Sequence, residues 1–127
     1  MIKNFLIINC TGKNNVIALK VNNNFFLKKL QTNLRSNESL VNKIFVFLRQ
    51  KKANIDKNFS VIVNIGPGSF SGIRISLAVA KGIKITNGSK LYGYKDHDLP
   101  EFNAKNIEIL IKKKLIQNNL IKPVYIS

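Results

Sequence analysis

Val63-Asn64-Ile65-Gly66-Pro67-Gly68-Ser69-Phe70-Ser71-Gly72-Ile73-Arg74 is the stretch from which the rest of the chain can be ordered. The run that leads into it, Ser60-Val61-Ile62-Val63-Asn64-Ile65, is β-branched and apolar at most positions, the pattern of a strand buried on both faces. Gly66-Pro67-Gly68 stops that strand, and apolar residues then recur at helical spacing from about Ser69 to Ile85, with Gly88 as the stop. A strand that breaks on glycines where a helix begins aims backbone N–H groups at one spot, where the positive end of the helix dipole also lies. The motif Gly66, Pro67, Gly68, Ser69, Phe70, Ser71, Gly72 and Arg74 therefore reads in two ways, as an anion site or as a tight turn against neighbouring strands. It misses the specific phosphate templates. No lysine follows at P-loop spacing, Ser71 stands where the dinucleotide fingerprint needs glycine, and no acidic residue lies about twenty positions on to hold a ribose.

Upstream, Phe5 to Asn9, Val16 to Val21 and Asn24 to Leu30 read as three short strands. They are separated by Gly12-Lys13-Asn14-Asn15 and Asn22-Asn23, residues that tolerate positive φ. Ser36 or Asn37 can cap a helix from about Glu38 to Lys52, with Glu38 in the first turn where the dipole favours an acid. Downstream, Lys90 to Tyr94 reads as a strand, 96–106 as a polar loop, Ile107 to Gln117 as a helix, and Pro123-Val124-Tyr125-Ile126 as a tail strand. A three-strand meander followed by strand-helix alternation predicts an α/β fold with a mixed sheet. The meander argues against a simple Rossmann unit and fits an actin-like, or ribonuclease-H-like, half-fold.

The helix after the glycine turn has two apolar stripes. Phe70, Ile73, Leu77 and Ala80 form one, and Ile75, Val79 and Ile83 lie roughly opposite, leaving a narrow polar sector with Arg74 and Lys81. One stripe can cover the sheet, and the other calls either for a partner helix or for cover by the C-terminal helix. Gly72, Ser76 and Ala80, spaced by four, would let a helix come close. The expected partner interface joins this helix to the preceding one through Leu40, Ile44, Phe47, Leu48, Ile73, Ile75, Leu77, Val79 and Ile83.

Composition narrows the classes further. At 127 residues one domain is expected. The longest apolar runs fall far short of the ~20 residues of a membrane span. The start Met1-Ile2-Lys3-Asn4 leads into alternation without an apolar leader core, so a cytoplasmic location with no membrane partner is expected. Cys10 is the one cysteine and His97 the one histidine, which leaves neither an internal disulfide nor a thiolate or paired-histidine metal site, and no cofactor is expected. Cys10 reads as a buried thiol, His97 as a surface residue, and Asp96, Asp98 and Glu101 as loop acids. The net charge of +15 would suit nucleic acid. Its carriers are mostly lysine, however, beside abundant Ile and Asn, the profile of A/T-rich coding, and aromatics do not interleave with them as a base-stacking platform requires.

The segment Gly66-Pro67-Gly68-Ser69-Phe70-Ser71-Gly72-Ile73-Arg74, continued by Ala78-Val79-Ala80-Lys81-Gly82, resembles the hallmark of the TsaB/YeaZ family. Leu6-Ile7-Ile8-Asn9-Cys10-Thr11 with Val16-Ile17-Ala18-Leu19 is similar to that family's first hairpin, and the tail strand to its closing segment. The likeness spans about residues 1 to 95 plus the tail. It implies a single actin-like domain in which 1–95 is the first lobe, 96–122 a loop-and-helix remnant of a second lobe, and 123–127 the tail. The implied role is accessory and non-catalytic: binding the TsaD-family catalytic subunit through helices that also serve self-association as a homodimer. The complex recruits a TsaE-family ATPase, meets tRNA indirectly, and makes threonylcarbamoyladenosine. With only a remnant of the second lobe, an inter-lobe nucleotide cleft is not expected, and Asn9 stands where the family commonly has Asp. Two alternatives remain: a nucleotide-binding protein using the glycine turn, and a basic tRNA-binding protein.

Overall fold

The computed structural model describes residues 2–11, 15–30, 37–117 and 125–126. In chain order the elements are β1 (Phe5–Asn9), β2 (Val16–Val21), β3 (Asn24–Lys29), α1 (Asn37–Gln50), β4 (Ser60–Asn64), the two-residue β5 (Gly68–Ser69) and α2 (Phe70–Asn87). Then follow β6 (Lys90–Tyr94), a 3-10 turn (Asp96–Asp98), α3 (Ala104–Lys112) and the two-residue β7 (Tyr125–Ile126).

Five strands make one sheet in the order β3-β2-β1-β4-β6. β1, β2 and β3 form the antiparallel meander, and β4 and β6 add in parallel on the other side of β1. Asn22 and Asn23 turn the second hairpin with φ of 51° and 68°, the left-handed pair that matches strand twist. The expected turn at 12–14 and the cap Ser36 lie outside the described residues.

Because side chains alternate along a strand, β1 and β4 serve two cores at once. Leu6, Ile8, Val61 and Val63 join Leu40, Ile44, Phe47 and Leu48 of α1 and Ile73, Leu77 and Ala80 of α2 on one face. Phe5, Ile7, Ile62 and Tyr94 join Ile107 and Leu110 of α3 on the other. This accounts for the near-continuous apolar runs of the two central strands.

Each helix ends on a left-handed residue. Gly88 (φ 74°) closes α2 through its N–H to the Lys84 carbonyl. Lys52 (φ 54°) and Lys114 (φ 56°) close α1 and α3 in the same conformation, with Ala53 N–H to Leu48 O at 2.9 Å and Leu115 N–H to Leu110 O at 3.1 Å. Three expected boundaries shift. α1 stops at Gln50, short of Lys52. α3 starts at Ala104, because Asn103 caps it by accepting from the Asn106 N–H at 2.8 Å, and it stops at Lys112. Gln117 is not helical but pairs with Gly93 on the edge of β6.

Candidate functional site

The turn between β4 and α2 is held from three sides. Gly66 takes φ of 100°, and its peptide bond to Pro67 is cis. The Gly66 N–H donates to Asn64 Oδ1 at 2.8 Å, the Gly66 carbonyl accepts from Asp96 N–H at 2.9 Å, and the Ser69 N–H donates to the Thr11 carbonyl at 2.9 Å. β7 then pairs in parallel with β5, laying Tyr125 and Ile126 alongside Gly68 and Ser69. Gly72 faces the end of β1 so closely that a Cβ there would overlap the Cys10 carbonyl oxygen, and one on Gly68 would stand 2.7 Å from Thr11 Cβ. Two amides of the turn are thus engaged within the chain, and its glycines are accounted for by backbone conformation and close approach. Pro67, Ser71 and Arg74 are exposed, Ser69 is half-buried, and the Ser69 and Ser71 hydroxyls lie 3.3 Å apart.

Beside the turn, Asn64 ties together the carboxyl ends of the three parallel strands. Its Nδ2 donates to Asn9 Oδ1 at 2.7 Å and to Asp96 Oδ1 at 2.9 Å, while its Oδ1 takes the Gly66 amide. A buried amide with both ends matched in this way fixes the turn relative to β1 and to the chain leaving β6. Sequence reading passed over Asn64 as a strand residue. The available signal was a polar side chain inside an otherwise apolar run, since buried polar residues need partners.

Two ionisable groups sit under this junction. Burial pushes the Cys10 thiol up from its ordinary 9.0 to about 11, with the nearby Ser76 side chain opposing. The thiol therefore stays protonated near neutrality and is no nucleophile there. Burial also raises the Tyr94 phenol well above its usual range, reinforced by the Asp96 charge, with the nearby Asn64 side chain opposing. The Tyr94 hydroxyl finds no partner in hydrogen-bonding geometry, at a cost of about 1–3 kcal/mol.

His97 is exposed, with Nε2 3.5 Å from Asp98. Among the described residues no group of three His, Cys, Asp or Glu is placed to hold a metal ion, and no helix is long and apolar enough to cross a membrane. On the far face of the sheet Lys20 Nζ lies 2.6 Å from Glu108 Oε1, an ion pair that joins α3 to β2.

The residues expected at a partner interface occupy the core instead of the surface. Leu40, Ile44, Phe47, Leu48, Ile73, Ile75, Leu77, Val79 and Ile83 are all buried. Both stripes of α2 are covered within the chain, and by α1 and the sheet, not by the C-terminal helix: α3 packs on the opposite face of the sheet through Ile107 and Leu110. What α1 and α2 present outward is a shallow groove of about 260 Å³, lined by Val41, Phe45, Ala78, Val79, Gly82 and Ile83 and by the polar Thr86 and Asn87. Phe45 and Val46 are each 41% exposed, and Ile85 is 85% exposed. Gly82 lies inside α2, where glycine costs a helix about 1 kcal/mol relative to alanine. A Cβ at this position would meet nothing within 4 Å.

No family model and no curated protein matches the chain. Among solved structures it is similar to YeaZ from Pseudomonas aeruginosa, at a TM-score of 0.67 and 15% identity over 76% of this chain. A second structure, described as an uncharacterized protein with similarity to peptidase YEAZ from Pseudomonas aeruginosa, also matches at a TM-score of 0.67, with 16% identity over 76% of this chain. The chain spans about half the length of each, 46% and 45%. At such identities the likeness is one of fold: a mixed sheet of antiparallel hairpins followed by parallel strand-helix units gives this chain the architecture of one half of the actin-like YeaZ structure.

Proposed function

We propose that the chain is a TsaB/YeaZ-type subunit of the bacterial machinery that makes threonylcarbamoyladenosine in tRNA, a non-catalytic protein that binds a TsaD-type catalytic subunit. The observation that carries this reading is a coincidence of motif and place: the Gly66–Gly72 signature forms the junction of β4 and α2 inside a fold that matches half of YeaZ. The chemistry around the junction supports binding over turnover. Asn9, Asn64 and Asp96 spend polar groups on one another, and the Cys10 thiol is held protonated.

In this reading the chain is one actin-like domain working in the cytoplasm. Residues 1–95 are its first lobe, 96–122 stand in place of a second, and the tail strand closes on the glycine turn. A TsaE-type ATPase joins through the complex, and tRNA is met indirectly. The contact with the TsaD-type subunit runs over the outer side of α1 and α2, where Val79 and Ile83 reach the groove and Phe45, Val46 and Ile85 remain uncovered.

Co-purification with the TsaD-family subunit of the same source, followed by threonylcarbamoyl transfer assayed with and without this chain, tests the reading. A stable complex whose activity depends on the chain supports it. No association together with no effect on transfer overturns it, and turns attention to nucleotide or RNA binding by the isolated chain.

A further inference from the structure

On the face of the sheet away from α1 and α2, α3 and the segment that follows it wall in an open-sided crevice of about 740 Å³. Lys114, in the left-handed conformation (φ 56°), turns the backbone at the end of α3, and Gln117 returns to the edge of β6 with two backbone bonds to Gly93, at 2.8 and 2.9 Å. The enclosed space falls within the ~300–1,000 Å³ of small-molecule sites. Ile2, Tyr92, Ile111 and Ile116 give it apolar walls; each is half-buried and packs against the second core. The charged residues of the lining are Glu108, Lys112 and Lys114. Glu108 is committed to Lys20 at 2.6 Å, whereas among the described residues no carboxylate pairs with Lys112 or Lys114. The carbonyls that end α3, which would oppose an anion, are taken by the amides of Lys113, Lys114 and Leu115. One neutralised acid and two unanswered cations therefore stand beside an apolar wall.

We propose that this crevice binds a small amphipathic anion, an apolar body of medium-chain fatty-acid size carrying a single carboxylate. The body lies against Ile2, Tyr92, Ile111 and Ile116, and the carboxylate against Lys112 and Lys114. Apolar walls with a few charged groups at one side match a ligand that is itself divided in this way. A nucleotide matches less well, because its base and ribose need polar partners that the four apolar residues do not offer. The site lies on the other face of the sheet from the contact proposed above and does not depend on it.

Calorimetric titration of the full chain with octanoate, decanoate and the uncharged octanol tests the proposal, and methyl and amide NMR shifts locate the site. Decanoate is expected to saturate at one molecule per chain, about tenfold tighter than octanoate for the two added methylenes. Octanol is expected to bind about tenfold more weakly than octanoate. The shifts should gather at Ile2, Tyr92, Ile111 and Ile116. Lys112→Gln with Lys114→Gln changes exposed side chains only, with thermal melting as the check on folding. That variant should lose about tenfold in decanoate affinity and keep the affinity for octanol, a split that damage to the fold would not produce. Equal affinity for octanol and octanoate overturns the proposal, as does a lysine variant that binds decanoate like the wild type. Non-saturating uptake with shifts spread over many lysines also overturns it, and would assign the binding to the general charge of +15.

Discussion

At the head of α2, Gly72 lies so close to the Cys10 carbonyl that a Cβ would overlap it, while Gly82, about three turns further along the same helix, has nothing within 4 Å. Around the first glycine the chain bonds to itself: Asn64 bonds to Asn9, Asp96 and Gly66, the Thr11 carbonyl accepts from Ser69, and the tail strand pairs with β5. Around the second the surface is open and lined mostly by apolar side chains. The contrast separates residues that make the fold from residues the fold does not need. Substitutions at the glycine turn should act on stability, and those on the outer face on association.

Gly72→Ala puts the heaviest load on this contrast. The obstructing atom is backbone oxygen at the end of a central strand and cannot swing aside as a side-chain tip would. Overpacking of this kind costs about 3 kcal/mol, so the chemical-denaturation midpoint should fall without a change in slope. An alanine tolerated at that position would mean that the head of α2 is held more loosely than the contact implies.

Cys10 gives the same region a pH signature. The folded thiol keeps its proton to about 11 while the unfolded one releases it near the ordinary 9.0. Between those values the unfolded state binds fewer protons, so stability falls as pH rises through the window and is unaffected by this group below it. Two units correspond to roughly 2.5 kcal/mol. Cys10→Ala should lose that part of the alkaline decline, whatever its stability at neutral pH, and urea titrations from pH 8 to 11 read the difference. An unchanged slope in the variant would place the thiol in water.

Asn64→Ala comes next, at about 2 kcal/mol, because it leaves a buried Gly66 amide without its acceptor. Its effect on binding the TsaD-type subunit should be no larger than its effect on folding accounts for, which parallel denaturation and titration would establish. A loss of binding at unchanged stability would make Asn64 part of the interface and break the division drawn here.

Much of this architecture was legible in the residues. β1, β2, β4 and β6 lie within a residue of where β-branched runs and turn formers put them, and Asn22-Asn23 turns as its tolerance of positive φ suggests. The helix ends were less so. A lysine in the left-handed position gives no signal of the kind Gly88 gives, so α1 and α3 end earlier than periodicity alone indicates. The outer face was legible only in part: periodicity finds two apolar stripes on α2, but that α1 and the sheet between them cover both is a matter of tertiary contact that no local pattern encodes. Asn64 was missed for a related reason, since its partners come from residues 9 and 96, far away in the chain.

The smallest expected effect has the opposite sign. Gly82→Ala removes the backbone-entropy cost of glycine inside a helix and adds a methyl group into open space, so the free chain should gain about 0.5–1 kcal/mol. The same methyl group stands where a docking helix would approach, so affinity for the TsaD-type subunit should drop as stability rises. Opposite movement of melting temperature and affinity is a result that damage to the fold cannot imitate. A variant both more stable and equally well bound would show that the open glycine is an accident of the sequence, and would leave the exposed Phe45, Val46 and Ile85 to mark the face on their own.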